Sequence, residues 1–255
     1  ITGPFNIQFL ARNNAIKANE CNLRASRSMP FVSKVTGTNF IREATRRMLG
    51  VRDGKPVDAL NLDYVAVKAA QFSFSRLAGA DPTLGVEMAS TGEVGCFGDD
   101  LHEALLKALV ATGFKFPTKG VLLSLGPTEE KSRFLEDARI LERLGLALFA
   151  TQGTHQALKD AGVHSTLAHK LADEASPTAM DLMRDGKIDL VINIPRSYDV
   201  EGRPDGYLIR RTAVDRNIPL LTNLQLSRAV VDALTRYRSP ADLPARDWRS
   251  YLERA

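Results

Sequence analysis

From Gly120 onward the chain alternates short apolar runs with helical stretches, and this rhythm leaves few folds open. Val121 to Leu125, Leu146 to Ala150, Ile188 to Ile194 and Ile218 to Leu221 read as buried strands. Between them lie a helix from Thr128 to Leu144 closed by Gly145, helices near 154–161 and 177–185, and one around 206–216; another runs from about 224 to 236. Ser176-Pro177 suits an N-cap followed by the first helical position. Strands that alternate with covering helices require a parallel sheet wrapped on both faces, so this half is α/β and doubly wound.

The first half has a different texture. Asn6 to Phe9 alternates apolar and polar residues, and Ile16 to Asn22 resumes the pattern after Arg12-Asn13-Asn14. A two-residue turn at Asn13-Asn14 pairs Gln8 with Asn19, whereas a three-residue loop through Ala15 pairs Gln8 with Glu20. The second is preferred because it gathers Gln8, Glu20 and Asn22 on one face. Pro30 opens a short helix ending near Gly37. Thr38 or Asn39 caps another, with Phe40, Ile41, Ala44 and Met48 facing inward and Gly50 closing it. Residues 51–60 read as a polar loop, Tyr64 to Lys68 as a strand, and Glu87 to Val94 as a turn between extended segments. Asp100 caps a helix to Ala111. A boundary near residue 118 divides the chain into units 1–118 and 119–238, and 239–255 forms a C-terminal tail with a short helix.

Composition restricts the function. The 255 residues carry 34 Lys and Arg against 30 Asp and Glu, a net charge of +4. These charges are interleaved, with no basic stripe and no aromatic platform, which argues against nucleic acid and suits anionic metabolites. Cys21 and Cys96 have no metal-binding spacing and point to a reducing, cytoplasmic setting. No apolar run is long enough to span a membrane. The chain opens on Ile1 and directly on strand-like sequence, which is expected of part of a longer protein.

Two groups of residues carry chemistry. Glu20-Cys21-Asn22-Leu23-Arg24-Ala25-Ser26-Arg27 places a carboxylate and an amide two residues apart on a strand, hence on one face, with two guanidinium groups just beyond. Hard oxygen ligands suit Mg²⁺, and arginine forks suit phosphate or carboxylate. Gln8 adds a third oxygen at the pairing position. Spacing alone leaves a solvated face, with Arg24 and Arg27 paired to nearby acids, equally open. Cys21 points to the other face, as a small buried side chain.

The second group is Thr151-Gln152-Gly153-Thr154, where a parallel strand ends and a helix begins. Backbone N–H groups and the helix dipole attract anions there. Lys131 and Lys170 are placed to converge on the same crevice, and Asn193 ends the next strand at the same carboxyl edge. Simple helix capping by Thr151 and Thr154 is the competing reading. The histidines His102, His155, His164 and His169 are scattered, without metal or triad spacing.

Longer motifs add a family. Gly3 to Phe9, Glu20 to Lys34 and Glu87 to Val94 closely resemble the large subunit of carbamoyl phosphate synthetase, at the end of its second ATP-grasp unit. Val191 to Pro195 and Ile209 to Asp215 resemble its C-terminal regulatory domain, of methylglyoxal-synthase-like fold. The resemblance implies the C-terminal part of an ATP-grasp α+β domain followed by the doubly wound regulatory domain. It implies that Gln8, Glu20 and Asn22 hold Mg²⁺ or Mn²⁺ against ATP, with Gln8 and Glu20 contributing to cofactor binding. Arg24 and Arg27 would neutralise charge on carbamate or the phosphoryl group. Lys131, Thr151, Thr154, Lys170 and Asn193 would bind an effector. A glutaminase partner, an oligomer and a role in pyrimidine or arginine biosynthesis are implied in the same way.

Departures from the family pattern sharpen these expectations. Ala69 stands where ornithine-activated relatives carry Glu, which argues against ornithine. Lys170 stands where relatives activated by N-acetylglutamate carry Trp, which favours a phosphorylated effector such as UMP or IMP. The family's adenine pocket precedes the residues matched here, so the chain alone is expected to be inactive. Two rival readings stand beside this one: a stand-alone effector-binding module, and a methylglyoxal-synthase-type lyase. For the lyase, Asn193-Ile194-Pro195-Arg196 lacks the acid that would abstract a proton beside the carbonyl.

Overall fold

The computed structural model describes residues 2–51, 53–54, 59, 61–83, 90–169, 175–195 and 204–253. Strands β1 (Asn6–Arg12) and β2 (Ala15–Asn22) form an antiparallel hairpin. Helices α1 (Met29–Val35) and α2 (Phe40–Met48) follow, then strand β3 (Val65–Gln71), a short 3-10 turn at Phe74–Arg76, and strand β4 (Gly92–Gly98). β3 and β4 pair antiparallel. Helix α3 (Leu101–Ala111) starts at Asp100, whose carboxylate accepts from the Glu103 N–H as expected of an N-cap.

The second half is α/β: β5 (Gly120–Leu125), α4 (Thr128–Arg133), α5 (Leu135–Arg143), β6 (Ala147–Thr151), α6 (Gln152–Asp160), β7 (Thr166–Ala168), α7 (Ala179–Arg184), β8 (Leu190–Ile194), α8 (Pro204–Asp215), β9 (Leu220–Leu221) and α9 (Leu224–Arg236). The five strands make one parallel sheet in the order β7-β6-β5-β8-β9. A period-two strand sends successive side chains to opposite faces. Val121, Leu123, Leu148, Ala150, Leu190 and Ile192 enter a core shared with α3, α5 and α9. Leu122, Phe149 and Val191 enter another, beneath α7 and α8. Burial on both faces explains why these strands read as continuous apolar runs.

Several sequence expectations need correction. The long helix breaks at Phe134, which is fully buried and forms the turn joining α4 to α5. The cap before α7 is Thr178, not Ser176: Thr178 and Asp181 form a reciprocal capping box. α2 buries no residue, and Ile41 and Met48 are exposed. Cys21 is exposed as well. β7, only three residues long, has too little pattern to be seen in sequence.

The C-terminal stretch carries the expected short helix and packs back on the first half. After a 3-10 turn at Pro240–Asp242, α10 (Arg249–Leu252) returns to the first half and buries Tyr251 against Tyr64 and Phe97, with ring centroids 5.7 and 5.6 Å apart. α3 rests on β3 and β4, yet its Leu105 and Leu106 join the core of the parallel sheet. Among the described residues, no helix is long and apolar enough to cross a membrane.

Candidate functional site

The hairpin places the first set of predicted residues. Asn13 and Asn14 have φ of 50° and 60°, the signature of a two-residue type I′ turn rather than the preferred three-residue loop. Gln8 nevertheless pairs with Glu20. Phe9 faces Ala18 and Gln8 faces Glu20, so Asn19 is an extra residue in β2, a β-bulge that shifts the register by one. The sequence reading reached the right pairing through the wrong turn.

Residues opposite each other share a face, and Asn22 lies two residues beyond Glu20 on the same side. Asn22 Nδ2 donates to Glu20 Oε1 at 2.5 Å. Arg24 and Arg27 follow on an exposed turn; Arg24 donates to the Ala25 carbonyl at 3.2 Å. Neither arginine forms an ion pair with another described residue. Gln8, Glu20 and Asn22 offer the uncharged and anionic oxygens that a hard divalent cation prefers. Among the described residues, no cluster of three His, Cys, Asp or Glu side chains provides an alternative metal site.

The second set converges at the sheet's carboxyl edge. Strand order reverses between β5 and β8, and in open α/β sheets ligands bind in the crevice beyond such a reversal. Ser124 on β5 and Asn193 on β8 are register partners across that point. Ser124, Thr151 and Asn193 share strand parity with Leu122, Phe149 and Val191, so all three turn to the face covered by α7 and α8. Thr151 Oγ1 lies 3.5 Å from Ser124 Oγ, and Asn193 Nδ2 lies 3.5 Å from the Ser124 carbonyl oxygen.

Thr151 is the N-cap residue of α6 by position, yet its side chain caps nothing, so the helix-capping reading does not account for it. The first N–H groups of α6 stay available to an anion. Lys131 is buried at the rim and donates to the Gly126 carbonyl at 3.1 Å. Lys131 Nζ lies beside Gly153 at the helix start, 3.6 Å from where a Cβ at that position would stand.

Thr154 differs from the others. It is 1% exposed, and its hydroxyl accepts from the Leu125 N–H at 3.0 Å and lies 3.3 Å from the Leu125 carbonyl. That oxygen ties α6 to the end of β5. Lys170 lies outside the described residues, as do Glu87, Met88 and Ala89 of the Glu87 to Val94 motif.

Two residues were missed from sequence. Ser124 is the one hydroxyl in an otherwise apolar buried strand, a signal that was present in Val121 to Leu125. Arg210, only 7% exposed, donates through Nη1 to Asn193 Oδ1 at 2.8 Å. Its Nε and Nη2 grip Asp81 at 2.7 and 2.5 Å. Burial pushes the Asp81 carboxyl upward, but hydrogen bonds from Arg210 and Thr83 outweigh it and hold the group below its ordinary range.

Comparison with known proteins agrees with this architecture. Residues 133–222 match the family model described as MGS-like domain. The chain is 47% identical over 98% of its length to the multifunctional protein pyr1-3 of Dictyostelium discoideum, and covers 11% of that protein. It is also 47% identical over 92% of its length to the multifunctional protein URA2 of Saccharomyces cerevisiae, again covering 11%. With the mitochondrial carbamoyl-phosphate synthase [ammonia] of Homo sapiens it shares 45% identity over 98% of its length, covering 17% of that enzyme. The chain thus spans less than a fifth of the relatives it matches. Over most of its length the chain is similar to part of these proteins, carbamoyl-phosphate synthase among them, and its residues 133–222 match an MGS-like domain.

Proposed function

We propose that this chain serves as the part of a carbamoyl-phosphate synthase that completes the carbamate-phosphorylating site and carries its regulatory domain. The assigned reaction moves the γ-phosphoryl group of ATP to a carbamate oxygen, giving carbamoyl phosphate and ADP. Such a transfer is mostly positioning and charge neutralisation. The supporting observation is the bulged register that sets Gln8 opposite Glu20 with Asn22 on the same face. These three would hold Mg²⁺ or Mn²⁺, which neutralises phosphate charge when bound. Arg24 and Arg27 would steady the carbamate or the phosphoryl oxygens through paired N–H donors. Ammonia would come from a glutaminase partner, and the 255 residues alone would not turn over. Mn²⁺ added to the chain should broaden the resonances of Gln8, Glu20 and Asn22, and Glu20→Ala should remove the effect. Broadening centred elsewhere would overturn the metal assignment.

The crevice at the β5–β8 reversal is assigned to a phosphorylated effector such as UMP or IMP. Support comes from the uncapped start of α6, the buried Lys131 beside Gly153, and the convergence of Ser124, Thr151 and Asn193. All of these are donors or hydroxyls, and a phosphate is all acceptor. A thermal-shift screen of UMP, IMP, phosphoribosyl pyrophosphate, ornithine and N-acetylglutamate tests the assignment. Stabilisation by a phosphorylated compound, lost in Thr151→Ala, is the expected result. Stabilisation by ornithine or N-acetylglutamate alone would overturn it.

A further inference from the structure

Arg210 stands between two places that the fold keeps apart. On one side is Asn193, at the rim of the crevice; on the other is Asp81, in the turn that follows β3. Three side chains of α8 hold that turn. The Tyr207 hydroxyl donates to the Gly79 carbonyl at 2.9 Å. Arg211 Nη1 donates to the carbonyls of Phe74, Leu77 and Ala80 at 3.1, 3.0 and 3.1 Å. Arg210 takes both oxygens of Asp81, whose Oδ1 also accepts from the N–H and hydroxyl of Thr83 at 3.0 and 2.9 Å.

The chemistry of the guanidinium group makes this arrangement directional. Arginine has only donors and does not deprotonate in proteins. A buried Arg210 can therefore accept one orientation of the Asn193 amide, with Oδ1 toward the guanidinium. Nδ2 is then turned toward Ser124 and the crevice. If the amide were reversed, an N–H would face an N–H, and the crevice would present an oxygen that repels anions.

We infer that Arg210 is a positioning residue that fixes the Asn193 amide as a donor to the crevice, and that Asp81 holds Arg210 in that pose. The inference rests on the reading of the crevice as an anion site and adds what gives it its preference. It also makes the crevice and the Asp81 turn thermodynamically linked. An anion that draws on Asn193 tightens the hold of Arg210 on Asp81, and release of Asp81 weakens the anion by the same factor.

The test is a titration of the full 255-residue chain with inorganic phosphate, followed by ¹H–¹⁵N spectra. Wild type should bind with shifts at the Asn193 side-chain amide and at the Thr83 backbone N–H. Asp81→Asn, which touches no crevice residue, should stay folded, weaken phosphate at least five-fold and lose the Thr83 response. Arg210→Lys should weaken binding similarly, because an ammonium cannot serve the carboxylate and the amide together. In an Asn193→Ala background, Asp81→Asn should add almost nothing, since its effect runs through Asn193. Wild-type affinity in Asp81→Asn, or losses that simply multiply in the double variant, would overturn the inference while leaving the anion site intact. Absence of phosphate binding to wild type, or equal binding by Thr151→Ala, would overturn the anion site and the inference with it.

Discussion

Gln8 faces Glu20 across the hairpin only because Asn19 is an extra residue in β2. The Asn13-Asn14 turn by itself would have paired Gln8 with Asn19. Both turn residues sit at positive φ, where glycine is at ease and a β-branched side chain is not. Asn14→Gly should therefore stabilise the hairpin by roughly 0.5 kcal/mol, and Asn14→Val should destabilise it by about 1–2 kcal/mol. Hydrogen exchange at β1 and β2 reads both changes. The Gln8–Glu20 cross-strand contact should persist in Asn14→Gly.

Thr154 ties the start of α6 to the end of β5 through both polar groups of Leu125. Thr154→Ala leaves a buried N–H without its acceptor and should cost about 1–3 kcal/mol in denaturant unfolding. Thr154→Ser restores the hydroxyl and should recover most of that loss. Equal stability of wild type and Thr154→Ala would remove the hydroxyl from the structural account.

Acid should loosen the contact between Asp81 and Arg210. The folded state holds the Asp81 carboxyl below its ordinary range, so it binds a proton less readily than the unfolded chain does. The resulting stabilisation is complete above the unfolded carboxylate value, about 3.9, and fades as pH falls through the folded value. Urea melts should therefore show wild type more stable than Asp81→Asn at pH 7. The gap should narrow below about pH 4. A gap that is constant with pH would contradict the ion pair.

Tyr251 anchors the C-terminal helix in an aromatic cluster and lies 3.3 Å from Glu103 Oε1 through its hydroxyl. It is 1% exposed. Tyr251→Ala should cost about 3–5 kcal/mol, whereas Tyr251→Phe should cost only about 1 kcal/mol. Comparable losses for the two would place the anchor in the hydroxyl rather than in the ring.

The parallel half was legible because its strands are buried on both faces and its helices carry clear stops such as Gly145. Thr151 and Asn193 could be placed at one sheet edge from that alternation alone. Arg210 could not, because its importance arises from Asp81, 129 residues away along the chain. In the first half, the alternation in β1 and β2 fixed which residues are strands but not how they pair, since a bulge leaves no pattern in sequence. The return of Tyr251 to Tyr64 and Phe97 was invisible for a similar reason. Two aromatics three residues apart, Trp248 and Tyr251, in a polar C-terminal stretch carry no period.

The most direct test of the proposed function is carbamate phosphorylation by the full-length protein that carries this segment, with Glu20→Gln. The side chain keeps its size and one oxygen but loses the charge that a divalent cation requires. Carbamoyl phosphate formation should fall by about two orders of magnitude or more, with the fold of the MGS-like domain preserved. Wild-type turnover by Glu20→Gln would contradict the account.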